Sequence, residues 1–313
     1  MAGKENELKT PRITAQPVVS QVMGEQTQDP STRKHLLVRL EEELKRPVIS
    51  FFTSFRYPVM IEDKDADMLE GVLQKTDLSN GLALILNSPG GDGLAAERII
   101  NLCRSYSKKG EYWAIVPAKA KSATTMICFG SSKIIMGPAS ELGPIDPQLT
   151  FVDPKTKRVS WFSVFNIIKS YEDLFKRATK EKGNLEPYLQ QLAKYDEREI
   201  KELKSALALS EDIAIKSLGS GMMKGTKNET IKKKIRIFLT PEHTKAHGRP
   251  IYRDEAGGCG LKIEAKNADD KLWSVIYELY IRTDTFVAGR ASKTIETKNH
   301  AFSASVPDGG QDE

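Results

Sequence analysis

Two stretches of the sequence bring together residue types that can do chemistry. In the first, LALILNSPGGDGLAAERI from Leu82 to Ile99, Asn87-Ser88-Pro89-Gly90-Gly91 stands between a continuous apolar run and an amphipathic one. In the second, PAKAKSATTMICFGSSKIIM, the strand-like run Tyr112 to Val116 leads to Ser122, which is followed by Ala123, Thr124 and Thr125 and then by apolar Met126 to Phe129. Paired glycines at a strand exit leave backbone N–H groups uncovered, able to point from a helix start at a developing negative charge. A serine at a strand-to-helix turn can act as a nucleophile, with the N–H of the next residue as a second oxyanion donor. Each stretch also has a plainer reading, with the glycines supplying positive φ in a tight turn and Ser122 capping its helix. Right-handed crossovers put both turns on one sheet edge, which favours the chemical reading. Gly90-Gly91-Asp92-Gly93-Leu94-Ala95-Ala96 fits neither GxGxxG nor GxxxxGK, so nucleotide binding is a weak alternative.

Candidate bases are few. Of four histidines, His35 lies on a charged helix and His300 near the C-terminus, which leaves His243 and His247. Those two have the i, i+4 spacing of zinc ligands with Glu242 adjacent, but no third ligand accompanies them, and no metal or other cofactor is expected. Lys119 and Lys121 flank Ser122, and strand alternation turns both away from it. Asp146, in Pro144-Ile145-Asp146-Pro147, reads as a turn residue held by its own backbone hydrogen bonds or as an acid. Cys103, Cys128 and Cys259 have no CxxC spacing and read as reduced structural thiols of a reducing compartment.

The elements that must position these residues alternate. Strands are expected at Val48 to Phe52, Leu82 to Leu86, Tyr112 to Val116 and Lys133 to Met136, with helices at Arg33 to Lys45, Lys64 to Lys75, Leu94 to Tyr106 and from Ser122. Apolar strands separated by helices imply an α/β fold with a parallel sheet covered on both faces. Beyond Pro154 the pattern turns mainly helical, with helices at Trp161 to Lys182, Pro187 to Lys204, Leu207 to Leu218 and Asp269 to Phe286. Residues 1–30 and 288–313 are polar and aperiodic and read as flexible tails around a domain at 31–287. The 313 residues carry a net charge of only +5, so nucleic acid is not expected as a partner; the basic run KGTKNETIKKKIRIF reads as a solvated face. With no signal peptide and no apolar run of spanning length, the expectation is a cytoplasmic protein without membrane association.

Asn-Ser-Pro-Gly-Gly at 87 to 91, Lys-Ser-Ala at 121 to 123, IIMGPASELGPIDPQ at 134 to 148 and HGRPI at 247 to 251 together resemble the serine dehydrogenase proteinase family, a Clp-fold branch related to ClpP and signal peptide peptidase A, over roughly Val48 to Lys262. The resemblance implies a ClpP/crotonase-like spiral of ββα units with a mostly parallel sheet, followed by a mainly helical C-terminal region. It also implies a serine peptidase acting on peptide or protein as a homo-oligomer. Carried over by position, Ser122 is the nucleophile, the N–H groups of Gly91 and Ala123 form the oxyanion hole, Asp146 is the acid and His247 the base. Related peptidases use a Ser-Lys dyad instead, which keeps Lys155, Lys157 and Lys169 as candidates. Thr124 stands where the family more often has glycine, so its branched side chain is expected close to the approach to Ser122. The alternatives are crotonase-like acyl-CoA chemistry, which shares the oxyanion hole without a serine nucleophile, and a catalytically impaired oligomeric binding homologue.

Overall fold

The computed structural model describes residues 17–25, 29–156, 159–240 and 248–306. Strands β1 (Val48–Thr53), β2 (Leu82–Asn87), β3 (Tyr112–Val116) and β5 (Lys133–Met136) lie parallel and side by side in the order of the chain. Between them run α3 (Asp63–Leu73), α4 (Gly93–Tyr106), the two-residue strand β4 (Lys119–Ala120) and α5 (Ala123–Phe129). The strands match the apolar runs in the sequence, because a strand buried on both faces has to be apolar throughout. Ile49, Phe51, Leu84, Leu86, Ala114 and Val116 face one core with α3, α4 and α5, while Val48, Phe52, Ala83, Ile85 and Ile115 face a second. The second core is closed by α2 (Ser31–Leu44), through Leu36, Leu37, Leu40 and Leu44, and by the last helix of the chain.

Downstream, β6 (Glu141–Leu142) pairs with β4, and a hairpin of β7 (Gln148–Val152) and β8 (Val159–Ser163) leads into helices α6 (Val164–Lys180), α7 (Glu186–Leu192), α8 (Glu197–Ser220), α9 (Asn228–Lys234) and α10 (Arg236–Leu239). Then come β9 (Ile251–Tyr252), α11 (Arg253–Gly258), β10 (Ile263–Ala265), α12 (Lys271–Gly289), β11 (Lys293–Glu296) and β12 (Ala301–Ala304). The main sheet has seven strands, ordered β10-β5-β3-β2-β1-β11-β12, parallel from β10 to β1 and antiparallel beyond. The arrangement is the mixed α/β, mostly parallel sheet expected, with the ββα unit visible in β3–β4–α5.

Four expectations need correction. The helices expected at Pro187 to Lys204 and Leu207 to Leu218 divide instead before Glu197, where the Asp196 carboxylate caps α8 by accepting from the Arg198 N–H. Residues 293–304 are not a tail, since β11 pairs with β1 and is buried at all four positions. Its polar residues are matched from afar: Glu296 is bonded by the Arg33 guanidinium at 2.8 and 2.5 Å, and Lys293 Nζ donates to Asp65 at 2.9 Å. Within residues 1–30, Val18–Gly24 form helix α1, whose Val22 is buried. The helix expected from Trp161 starts at Val164 because Trp161 and Phe162 belong to β8, turned back by Asp153, whose carboxylate accepts the Lys155 and Thr156 N–H groups.

Candidate active site

Asn87 ends β2, and the chain then makes the Ser88-Pro89-Gly90-Gly91 turn into α4. Ser88 Oγ accepts from the Gly90 N–H at 3.1 Å and from the Thr53 hydroxyl at 2.5 Å. The turn is stitched to its neighbour through Ser88 N–H to Lys119 O at 2.9 Å and Lys121 N–H to Ser88 O at 3.0 Å. On its other side it is stitched to Ile61, whose N–H donates to Gly90 O at 2.8 Å and whose carbonyl accepts from Asp92 N–H at 2.9 Å.

Glycine is required at both positions. Gly90 has φ +110°, and a Cβ there would lie 2.7 Å from Ser122 Cβ and 2.8 Å from Lys121 O. A Cβ on Gly91 would lie 2.3 Å from Ile61 O. Omitting these side chains lets the two turns and the Ile61 segment touch backbone to backbone.

Ser122 itself has φ 47° and ψ −119°. For a non-glycine residue this conformation costs on the order of 1–3 kcal/mol and persists only where surrounding structure imposes it. Its side chain makes no capping hydrogen bond to α5, which removes the plainer reading of this serine. Instead Ser122 lines a cavity of about 470 Å³ together with Gly90, Gly91 and Met126. Ala123 is the first residue of α5, so its N–H has no intrahelical acceptor. The Gly91 N–H takes no part in the Ile61 bridge, whose two bonds use Gly90 O and Asp92 N–H. Among the described residues neither N–H has an acceptor, and the two donors flank a strained, uncapped serine.

The remaining walls come from places the sequence did not advertise. Phe55, Tyr57, Pro58, Val59 and Met60 form one side, Gln148 and Trp161 of the hairpin another, and Ser210 of α8 contributes a hydroxyl. The 54–60 loop is pinned by Tyr57 Oη to Ala288 O at 3.2 Å, by Ser54 N–H to Ser292 O at 2.8 Å and by Lys293 Nζ to Met60 O at 2.9 Å. Aromatic residues and proline directly after a buried strand were the one available signal for it.

Asp146 is buried, between Ile145 and Pro147, which both line the cavity. His247, with His243, lies outside the described residues. Of the described residues around Asp146, the Ile145 N–H donates to Phe238 O at 2.8 Å, and Leu142 pairs with Ile251. Thr124 is fully buried and does not line the cavity, so it does not crowd Ser122.

The lysines are placed elsewhere. Lys121 Nζ bonds Glu141 at 2.8 Å; burial pushes its pKa down and Glu141 offsets part of that. Lys155 sits exposed in the hairpin turn, three residues beyond the end of β7, which itself runs roughly 13 Å from Gln148 to Val152 at a strand rise of about 3.3 Å per residue. Lys169, on α6, lines a separate groove with Glu172 and Lys204. Lys157 lies outside the described residues. Burial drives the Cys103 thiol up to about 12 and pushes the equally buried Cys128 thiol up as well, so neither is a nucleophile.

Residues 33–160, which hold both turns and most of the cavity, match the ClpP-like SDH-type serine proteinase family. An uncharacterized protein of Methanocaldococcus jannaschii is 34% identical over 97 residues, 30% of this chain and 33% of that protein. A second uncharacterized protein of the same organism is 29% identical over 86 residues, 28% and 29% of the two chains. The chain thus spans about a third of the length of the curated relatives it matches. Among solved structures, a serine-to-alanine mutant of the 1510-N membrane-bound stomatin-specific protease aligns with TM-score 0.30 at 18% identity, over 68% of this chain and 94% of that one. A lysine-to-alanine mutant of the same protease in complex with a substrate peptide aligns with TM-score 0.28 at 19% identity, over 71% and 93%. No helix among the described residues is long and apolar enough to cross a membrane.

Proposed function

We propose that this protein is a serine peptidase. Ser122 Oγ attacks the carbonyl carbon of a peptide bond while its proton passes to His247, and the oxyanion that forms is held by the Gly91 and Ala123 N–H groups. The imidazolium, oriented by Asp146, then protonates the leaving amine as the C–N bond breaks. Water, deprotonated by the same imidazole, releases the acyl group from Ser122.

The observation that carries this reading is the Ser122 backbone, held at φ 47° beside unengaged N–H donors with its hydroxyl free of the helix it precedes. A serine that served only as a cap would not be held in strain away from its capping bond. The match of residues 33–160 to a serine proteinase family points the same way. The apolar cavity walls, with Val59, Met60, Met126 and Trp161, suit an extended peptide presenting an apolar side chain. Leu149, Phe151 and Phe162, exposed on the outer face of the hairpin, suit association with further copies in the cytoplasm.

The test is reaction of the purified protein with a fluorophosphonate, with the adduct mapped by mass spectrometry. A single adduct on Ser122, lost in Ser122→Ala, is the expected result. An adduct elsewhere, or none on a folded protein, would overturn the reading.

A further inference from the structure

Asn87, the last residue of β2, is 1% exposed and uses both ends of its amide. Its Oδ1 accepts from the Lys119 N–H at 2.9 Å, and its Nδ2 donates to Asp284 Oδ1 on α12 at 3.1 Å. The two ends of an amide are nearly alike in shape but opposite in hydrogen bonding. A backbone N–H can only donate and demands the oxygen end, while an ionised carboxylate can only accept and demands the NH2 end. The two neighbours of Asn87 therefore select one orientation between them.

That orientation matters because of what Asn87 joins. It opens the turn carrying Gly90 and Gly91, and the residue it grips, Lys119, lies three positions before Ser122 in the facing turn. The Lys119 ammonium in turn stands 5.5 Å from the centre of the Phe55 ring on the cavity wall. Burial pushes the Asp284 carboxyl up, and Lys119 and the Asn87 hydrogen bond pull it back toward its ionised form. Tyr280, one turn earlier on α12, is the other titratable group facing it. Asp284 does not line the cavity.

We infer that Asp284 is a positioning residue: as an acceptor-only group on α12, it fixes the Asn87 amide and, through it, the spacing between the Gly90–Gly91 turn and the Ser122 turn. The inference rests on the reading of Ser122 as the nucleophile, but its structural half can be measured without that reading.

The experiment uses the full chain with Asp284→Ala, Asp284→Asn, Asn87→Ala and the Asp284→Ala/Asn87→Ala double variant. Two readouts are taken: the rate of fluorophosphonate addition to Ser122, and amide hydrogen exchange of peptides spanning residues 87–94. Asp284→Ala should slow labelling by about tenfold, the effect of losing one hydrogen bond to a charged group, and should speed exchange at 87–94. Asp284→Asn keeps an acceptor and should recover labelling to within about threefold. The double variant should be no slower than the worse single, because the two residues act as one unit. Unchanged exchange in Asp284→Ala overturns the inference whatever the labelling does, as does additive loss in the double variant. Faster exchange with unchanged labelling overturns the link to reactivity. If the parent protein does not label at Ser122 but exchange still rises in Asp284→Ala, the peptidase reading falls and the positioning role stands.

Discussion

Replacing Gly91 with alanine tests the oxyanion assignment most directly. The added methyl would sit 2.3 Å from Ile61 O, 2.4 Å from Ile61 N and 2.8 Å from Ile61 Cα. Ordinary contact is roughly 3.5–4 Å, so the backbones must part by about an ångström. Parting them breaks the bonds that join Ile61 to Gly90 and Asp92, at 2.8 and 2.9 Å. At about 1 kcal/mol net each, that is about 2 kcal/mol, a fall in Tm of roughly 3 °C for 313 residues. The loss of reactivity should be disproportionate. An N–H displaced by an ångström no longer reaches the oxyanion, and losing one such donor costs about 10²–10³-fold. The assay is the rate of fluorophosphonate addition to Ser122, with melting followed by circular dichroism. Gly71→Ala serves as the control, since a Cβ there meets nothing within 4 Å. If Gly91→Ala labels within about threefold of the parent while still folded, the Gly91 N–H is not a donor and the account of the turn is wrong.

Ser122→Gly should stabilise the fold by about 1–2 kcal/mol of relieved strain at φ 47°, raising Tm by roughly 2–3 °C, while abolishing labelling; a fall in Tm would instead indicate a cap. Glu296→Ala removes the carboxylate paired with the buried Arg33 guanidinium and should cost about 3–5 kcal/mol in urea unfolding, with a loss below about 1 kcal/mol contradicting the buried ion pair. Burial pushes the Asp65 carboxyl up, against the pull of the Glu62 N–H and Lys293. The unfolded chain therefore ionises first, and the stability Asp65 contributes is full below the ordinary carboxylate range, near pH 4, and is lost as pH rises through the raised folded value. The Tm advantage of the parent over Asp65→Asn should accordingly shrink as pH rises from about 4, and an advantage that grows with pH would refute this.

What could be read from the sequence was whatever is encoded locally. Leu82 to Asn87 and Tyr112 to Val116 are apolar throughout because both faces of each are covered, and the Gly90–Gly91 turn and Ser122 were legible because their backbone conformations restrict residue type. β11 was not legible, since Lys-Thr-Ile-Glu reads as polar until Asp65 and Arg33, both far away in the chain, neutralise it. The 54–60 loop was missed for the same reason: its place is set by Ser292, Lys293 and Ala288, not by its own composition. Trp161 was misassigned because apolar residues continue from strand into helix, Trp161 and Phe162 before and Val164 and Phe165 after, with only Ser163 between them.

The pairing of β1 with β11 also has a consequence for synthesis. Arg33 and Glu296, which bond across this junction, are 263 residues apart, and the lysine that pins Met60 is on the same late strand. While the chain is still emerging from the ribosome, β1 to β5 can assemble and bring Ser122 to its turn, but nothing yet anchors the 54–60 wall. Ser122 would thus reach its turn well before the groove beside it is closed, and on the peptidase reading proposed above the late strand β11 sets the moment at which cleavage can begin.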